Sequence, residues 1–392
     1  MTIKVGVVGS TGFANAFIPL FKAHPLVSEV VICDLVAEKR QAAAAKHGIQ
    51  TTSSSLDALL ETDVDAVAII TQPWLHGPQA LQVLGAGKHV YSAVPIARTV
   101  DEVRAIVDAV EQTGLIYMTG ETSYYYPAAL FCREKFARGE FGDVVYGEGE
   151  YYHDWDHGLY GVNRTRGGER WRDHAGAPPM YYPTHSMSMI VSVTGAHATH
   201  VSCHGFVDHA DDGVYGESAN VYGNPFGNQS ALFRMSDGST ARINEFRRIG
   251  HPGTVRMTMF GTAGSFEQNF AGSMWLTKDR KAAQRLDDAL ALSGVKNAED
   301  DFVGVSSVHP VQRLPREFAG LPNGHQGSHQ FLVDDFVNSC ISGQQPPNNV
   351  WQAARYCVPG LIAHESAMQG GRLLEIPDVG AGPAGAAPGK QH

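Results

Sequence analysis

The chain has 392 residues, 43% of them hydrophobic, enough for two or three domains whose cores need no disulfide or metal staple. Charged residues make up 18%, and Asp plus Glu exceed Lys plus Arg by 40 to 30, a formal charge of -10. That balance argues against sequence-independent nucleic-acid binding, which needs a basic face. No apolar run approaches the ~20 residues of a membrane span, so neither nucleic acid nor membrane is expected as a partner. Five scattered cysteines (Cys33, Cys132, Cys203, Cys340, Cys357) contain no CxxC pair, as expected of reduced thiols. The opening MTIKVGVVGSTG lacks an apolar core ahead of a small-residue cleavage site, so a cytoplasmic location is expected.

In chain order, Ile3–Val8, Glu29–Cys33, Ala66–Ile70, His89–Ala93 and Leu115–Thr119 are short runs rich in β-branched residues, the pattern of strands buried on both faces. Helical stretches separate them. Val36–His47 is Ala-rich and stops at Gly48, a candidate C-cap. Thr99-Val-Asp-Glu102 is a capping-box pattern, followed by Val100, Val103, Ile106, Val107 and Val110 on one helical face. The alternation predicts a doubly wound parallel sheet over residues 1–124. Residues 125–377 differ: a helix over Pro127–Arg138, a strand over Val144–Tyr152, then a long aromatic and His-rich stretch to Tyr182. Alternating segments follow at Val201–Val207, Ser230–Met235, Thr240–Glu245 and Val255–Phe260. These predict an α+β domain on a large, open-faced, mostly antiparallel sheet. Residues 279–327 look loop-rich, and Phe331–Ser342 and Val350–Gln369 read as amphipathic helices that pack back on the first domain. The tail, residues 378–392, is Gly/Ala/Pro-rich and expected to be disordered.

Gly9-Ser-Thr11-Gly12-Phe13-Ala14 stands where the first strand turns into a helix. Against the GxGxxG pattern, Gly9 makes the tight turn, Thr11 and Ala14 replace the other glycines, and Gly12 allows close approach of a pyrophosphate to helix amides. Asp34, after the second strand, is placed to accept ribose hydroxyls and repel a 2′-phosphate, which favours NAD over NADP.

Thr71-Gln72-Pro-Trp74-Leu-His76, Gly85-Ala-Gly-Lys-His-Val90 and Ala93-Val94-Pro95 complete a series that resembles the Gfo/Idh/MocA oxidoreductase superfamily, from residue 3 to about 377. The resemblance implies an NAD(P)-binding first domain, with Thr71, Gln72, Trp74, His76, Ala93, Val94 and Glu121 on the cofactor side, and an open-sheet second domain. The family usually has Glu-Lys-Pro where this chain has Ala93-Val94-Pro95, and its lysine assists hydride removal between nicotinamide and sugar. With valine there, a plain sugar dehydrogenase loses its electrostatic aid.

Many members also place Asp four residues before a catalytic His; here that position is Tyr181, in Tyr181-Tyr182-Pro-Thr-His185. This string, with the missing lysine, Tyr151-Tyr-His153-Asp154, Gly324-His-Gln-Gly-Ser-His329 and Ala363-His-Glu-Ser366, resembles the NAD-dependent glycosidase branch. That branch includes α-N-acetylgalactosaminidases and sulfoquinovosidases. Its chemistry oxidises C3 of a sugar, removes the acidified C2 proton, eliminates the C1 aglycone, adds water and re-reduces C3. Bases and an acid are needed, and Tyr and His suit both tasks. The resemblance points to His185 and Tyr182 at the C3/C2 end, with Tyr151 and His153 at C1 and C2.

Arg164, Arg166, Arg170 and Arg172 crowd into nine residues. Two readings stay open: a solvated or interface loop, or a site for an anionic substituent, since guanidinium pairs bidentately with carboxylate, phosphate or sulfonate. In the second, Arg166 and Arg172 bind the anion and Trp171 stacks on a pyranose. His153-Asp-Trp-Asp-His157 matches no standard metal spacing, so no metal is expected. The expected function is an NAD-dependent glycosidase acting on a small-molecule glycoside, with an anionic sugar such as a sulfoquinovoside as one candidate, in a homo-oligomer. The alternatives are an NAD-linked sugar or polyol dehydrogenase and a non-catalytic NAD-binding regulator.

Overall fold

A computed structural model of the protein describes residues 1–294 and 303–382. Residues 383–392 of the expected disordered tail, and residues 295–302 of the expected loop-rich stretch, lie outside the described residues. The described chain forms two compact units, one of Met1–Leu130 and Ala289–Ala354 with residues 379–382, the other of Phe131–Asp288 and Arg355–Asp378.

The first unit is built on β1 (Ile3–Val8), β2 (Val27–Cys33), β3 (Thr51–Ser53), β4 (Ala66–Ile69), β5 (His89–Ser92) and β6 (Tyr117–Thr119). The sheet order is β3-β2-β1-β4-β5-β6, and every pair is parallel. All of β4 is buried, as a strand covered on both faces requires. Strand β3 escapes a reading based on apolar runs, because its Thr-Thr-Ser segment exposes both threonines. Gly48 caps the helix Ala37–His47 in the left-handed region at φ 61°. Thr99 Oγ1 accepts the Glu102 N–H at 3.1 Å, while the Glu102 carboxylate reaches back to the amide of Arg98, not Thr99. The capping box is thus shifted by one residue on its return arm. The helix His329–Ser342 contributes Phe331, Phe336 and Val337 to the same core as Phe17, Phe21 and Tyr91.

The second unit carries nine strands: β7 (Val144–Tyr152), β8 (Ala198–Val207), β9 (Phe226–Met235), β10 (Thr240–Phe246), β11 (Thr254–Gly261), β12 (Gly264–Asn269), β13 (Gly272–Thr277), β14 (Gln284–Arg285) and β15 (Leu374–Glu375). Their order is β14-β13-β12-β11-β7-β10-β9-β8-β15. Neighbours are antiparallel except β7 and β10, which pair in parallel and set Glu245 opposite Tyr151. The hairpin β12–β13 was not predicted: each strand is six residues long and opens on Gly-Ser, with no run of β-branched residues.

The helix Thr184–Thr194 lies on one face of this sheet, and glycine explains how closely. A Cβ on Gly149 would overlap the Ser186 carbonyl oxygen, and one on Gly147 would stand 3.0 Å from Ile190 Cδ1. Gly147, Gly149, Tyr151 and His153 share that face by the two-residue period of a strand. The strand therefore runs beneath the helix on glycines and presents its aromatic residues just past the helix start. Among the described residues no helix is long and apolar enough to cross a membrane.

Candidate active site

In the first unit, Gly9 has φ 97°, and a Cβ there would overlap the Ile70 carbonyl oxygen. Gly12 has φ 55° and open space where a Cβ would stand. The turn thus needs glycine at Gly9, while Thr11 and Gly12 are exposed at its tip. Asp34 closes the cradle: its Oδ2 accepts Ser10 Oγ at 2.6 Å and Ser10 N at 3.2 Å, and its Oδ1 accepts Val36 N. A bare backbone turn with a carboxylate at the end of β2 fits the diphosphate and ribose of a dinucleotide. Phe13 packs edge-on against His325 at 5.0 Å and His329 at 5.3 Å. Among the described residues, His325 and Gln326 are the two non-glycine residues in the left-handed region, at φ 45° and 55°.

The remaining cofactor-side residues are also in this unit. Gln72 and Trp74 are half-buried on the turn after β4. Thr71 Oγ1 donates to Gln79 Oε1 at 2.6 Å. The buried His76 ring reaches the Pro95 carbonyl at 2.9 Å and the Thr71 carbonyl at 3.2 Å, so it ties the Thr71 turn to the Ala93–Pro95 segment. Ala93 and Val94 are buried, with Ala93 N held by Ile69 O. Glu121 is fully buried after β6 and accepts Ser123 N and Oγ at 2.9 and 2.6 Å.

In the second unit four expected residues gather on one patch. The His185 ring lies 5.3 Å edge-on from both Tyr151 and Tyr182, and the two tyrosine rings are 6.1 Å apart. The Tyr151 hydroxyl lies 2.8 Å from His153 Nδ1, and His153 Nε2 lies 3.2 Å from the His157 carbonyl. A carbonyl only accepts, so Nε2 carries the proton, Nδ1 is bare in the neutral ring, and Tyr151 donates to it. Burial, reinforced by the Arg247 charge, pushes His153 down to about 4, so the ring is neutral at pH 7. Tyr181–Tyr182 is pinned from behind. Gln229 accepts Met180 N at 3.0 Å and reaches His364 Nδ1 at 3.1 Å, while His364 packs edge-on against Tyr181. A Cβ on Gly360 would overlap the Met180 carbonyl, so the helix Val350–Met368 presses directly on this turn.

Two functional candidates were missed. Glu245 is fully buried, accepting Ser186 Oγ at 2.5 Å and Arg247 Nη2 at 2.9 Å. The Arg247 guanidinium stands 4.7 Å from the Tyr151 ring centre. Burial pushes Glu245 up to about 7 against the pull of Arg247. The two residues are two apart at the end of β10 and so share a face; that opposite-charge pair on a buried face was the available signal.

The arginine segment folds as the helices Tyr160–Gly167 and Trp171–Ala175. Trp171 is only 7% exposed and packs with Trp155, Ala175, Val214 and Tyr215. The guanidinium groups of Arg172 and Arg164 lie 4.6 and 5.4 Å from its ring centre. This corrects the expected sugar platform: the ring anchors the segment because its faces are taken up by packing and by its own neighbours. Arg170 pairs with Asp173 at 2.6 Å, Arg172 Nε donates to the Asp212 carbonyl, and Arg164 and Arg166 are exposed. Trp155 lies two residues beyond His153, so the Trp155–Trp171 contact at 6.4 Å joins this segment to the Tyr151–His153 pair.

Residues 3–121 match the Gfo/Idh/MocA oxidoreductase family, NAD-binding Rossmann fold, and this part of the first unit is an NAD-binding Rossmann domain. The chain is 26% identical to a glycosyl hydrolase family 109 protein of Streptomyces filamentosus, over 96% of this chain and 77% of the relative. It is 23% identical to one of Solibacter usitatus, over 96% and 88%. Among solved structures, a levoglucosan dehydrogenase in complex with NADH superposes with a TM-score of 0.77 at 18% identity, covering 96% of this chain and all of the other. An oxidoreductase domain protein from Kribbella flavida gives 0.75 at 22%, with the same coverage. These likenesses show the fold: a Rossmann unit followed by a large, mostly antiparallel sheet.

Proposed function

We propose that this Gfo/Idh/MocA-like enzyme is an NAD-dependent glycosidase that cleaves its substrate by transient oxidation at C3, elimination, water addition and re-reduction. The observation that carries the reading is the patch of Tyr151, His153, Tyr182 and His185, four side chains with transferable protons and no carboxylate among them. Direct displacement at C1 would call instead for two carboxyl groups ~5–9.5 Å apart. The similarity to glycosyl hydrolase family 109 proteins over 96% of this chain and the valine at position 94 support the same choice.

Gly9, Thr11, Gly12, Phe13 and Asp34 would hold the diphosphate and ribose of NAD, with Thr71, Gln72, Trp74, His76, Ala93, Val94 and Glu121 toward the nicotinamide. When bound, NAD supplies reversible removal of a hydride from C3. His185 and Tyr182 take the C3 hydroxyl proton. Tyr151, oriented by His153, removes the C2 proton and supplies the acid at the aglycone oxygen. Arg166 and Arg172 recognise an anionic substituent such as the sulfonate of a sulfoquinovoside. Arg172→Leu is expected to raise KM for an anionic glycoside by roughly tenfold, the value of one charge-assisted hydrogen bond, and to leave its neutral analogue within about twofold. Steady-state kinetics on the pair checks this, and equal effects on both remove anion recognition.

The test of the reaction is a screen of neutral and anionic p-nitrophenyl glycosides with and without catalytic NAD+. Nitrophenol release without net NADH is expected. Stoichiometric NADH with an intact glycosidic bond would instead identify a sugar dehydrogenase.

A further inference from the structure

Beneath Tyr151 lies a buried ion pair that the proposed chemistry has not yet used. The side chain of Arg247 is 10% exposed and that of Glu245 is 0% exposed. Desolvating such a pair is costly, and apolar packing would often serve stability as well. The guanidinium is also aimed. One nitrogen, Nη2, meets Glu245; the other, Nη1, donates to the carbonyls of Phe246 at 3.1 Å and Tyr151 at 3.4 Å. This grip sets the cation over the Tyr151 ring.

We infer that Arg247, clamped by Glu245, is a positioning residue that makes Tyr151 an acid/base group by stabilising its phenolate. The inference rests on the reading of Tyr151 as a proton carrier. Tyr151 first releases its own Oη proton to water; in the step itself a substrate C–H or O–H bond then breaks, the Tyr151 Oη–H bond re-forms, and the electron pair stays on the substrate. A fixed positive charge over the ring favours the phenolate needed to start that exchange. Neutral His153 orients the hydroxyl through its bare Nδ1 without adding a competing cation. Glu245 sets how much of the arginine charge reaches the ring.

Among the described residues, charged and titratable groups face this unit from several elements, with Asp154 and His157 beside His153. Tyr151 meets His153 on its own strand, Tyr182 and His185 from the turn and helix, and Arg247 from beyond β10. Arg247 is also under the influence of Tyr215, and Glu245 of His185. Among these Arg247 is the permanent cation.

The experiment is an ultraviolet difference titration of tyrosine, each protein against its matched Tyr151→Phe partner, together with the pH profile of kcat/KM. Glu245→Gln unmasks the arginine and should raise the phenolate fraction of Tyr151 at fixed pH several-fold. Glu245→Gln with Arg247→Met removes both charges, leaves no unpaired buried carboxylate, and should lower that fraction roughly tenfold, one pK unit. Arg247→Lys should fall between wild type and the double variant. If activity falls while the Tyr151 titration stays in place, the pair is structural and the inference is overturned. Should the double variant fail to fold, Glu245→Gln decides alone: no shift, or a shift to higher pH, overturns it. If wild type cleaves no glycoside yet the titrations move as stated, the functional reading fails and the charge assignment stands.

Discussion

The two faces of β7 carry the same trio of groups to opposite ends. On the helix-covered face Tyr151 meets Arg247 and Glu245; on the open face Tyr152 meets Arg256, 5.4 Å from its ring centre, and Glu150. Burial raises both carboxyl groups, so partners decide the outcome. Glu150 pairs with Arg256 and with Arg242 at 3.3 Å and accepts Asn244 at 3.2 Å. These outweigh burial and hold its carboxyl below the usual range. Glu245 has one arginine and one serine, and burial wins, leaving it near 7. Full pairing makes a structural ladder on the open face. Under-pairing leaves a titratable charge behind Tyr151, as expected where function shifts pKa values.

The comparison breaks first at the tyrosines. Tyr151→Phe is expected to lower kcat/KM by at least about 10²-fold, the usual value of a positioned acid/base group, whereas Tyr152→Phe should stay within about threefold. Comparable losses in both, by steady-state kinetics, would end the distinction between the faces.

The glutamates give the next effect. Glu150→Gln leaves Arg256 under-paired, while Arg242 keeps Glu148 at 3.1 Å, and should cost about 1–3 kcal/mol at pH 7, read by urea unfolding. Glu245→Gln should be milder and depend on pH. The folded carboxyl lies above its unfolded value of 4.5, so its contribution is present below 4.5 and is lost as pH rises through about 7. The Tm of Glu245→Gln relative to wild type should therefore rise between pH 5 and 8. A constant difference across that range would show that Glu245 does not titrate there.

A third effect, on the acid side, belongs to the histidine behind the Tyr181–Tyr182 turn. Burial pushes His364 down to about 4, so its stabilising contribution is present above 6.5 and lost as pH falls through 4. His364→Gln should flatten the fall in Tm across that interval, and an unchanged slope would place the acid sensitivity elsewhere.

Local pattern made much of this legible. Strand β7 has both predicted ends, Val144 and Tyr152, and His89–Ser92 and Val350–Met368 each stop one residue short of the predicted Ala93 and Gln369. Strand β3 and the hairpin β12–β13 escaped because strands this short are held by neighbours, not by their own sequence. The gathering of Tyr151, His153, Tyr182 and His185 followed from strings along the chain. The Glu245–Arg247 support did not, because a parallel β7–β10 register sets Glu245 beside Tyr151, and pairing between distant segments is not written in either one. Trp171 misled for a related reason: an aromatic among arginines reads as a platform until its packing against Trp155 is seen.

The central claim is cleavage by oxidation and elimination, and one measurement reaches it directly: turnover of a cleaved glycoside in heavy water with catalytic NAD+, followed by NMR of the released sugar. Deuterium at C2, with no net NADH, is the predicted result. A sugar released with protium retained at C2 would contradict it.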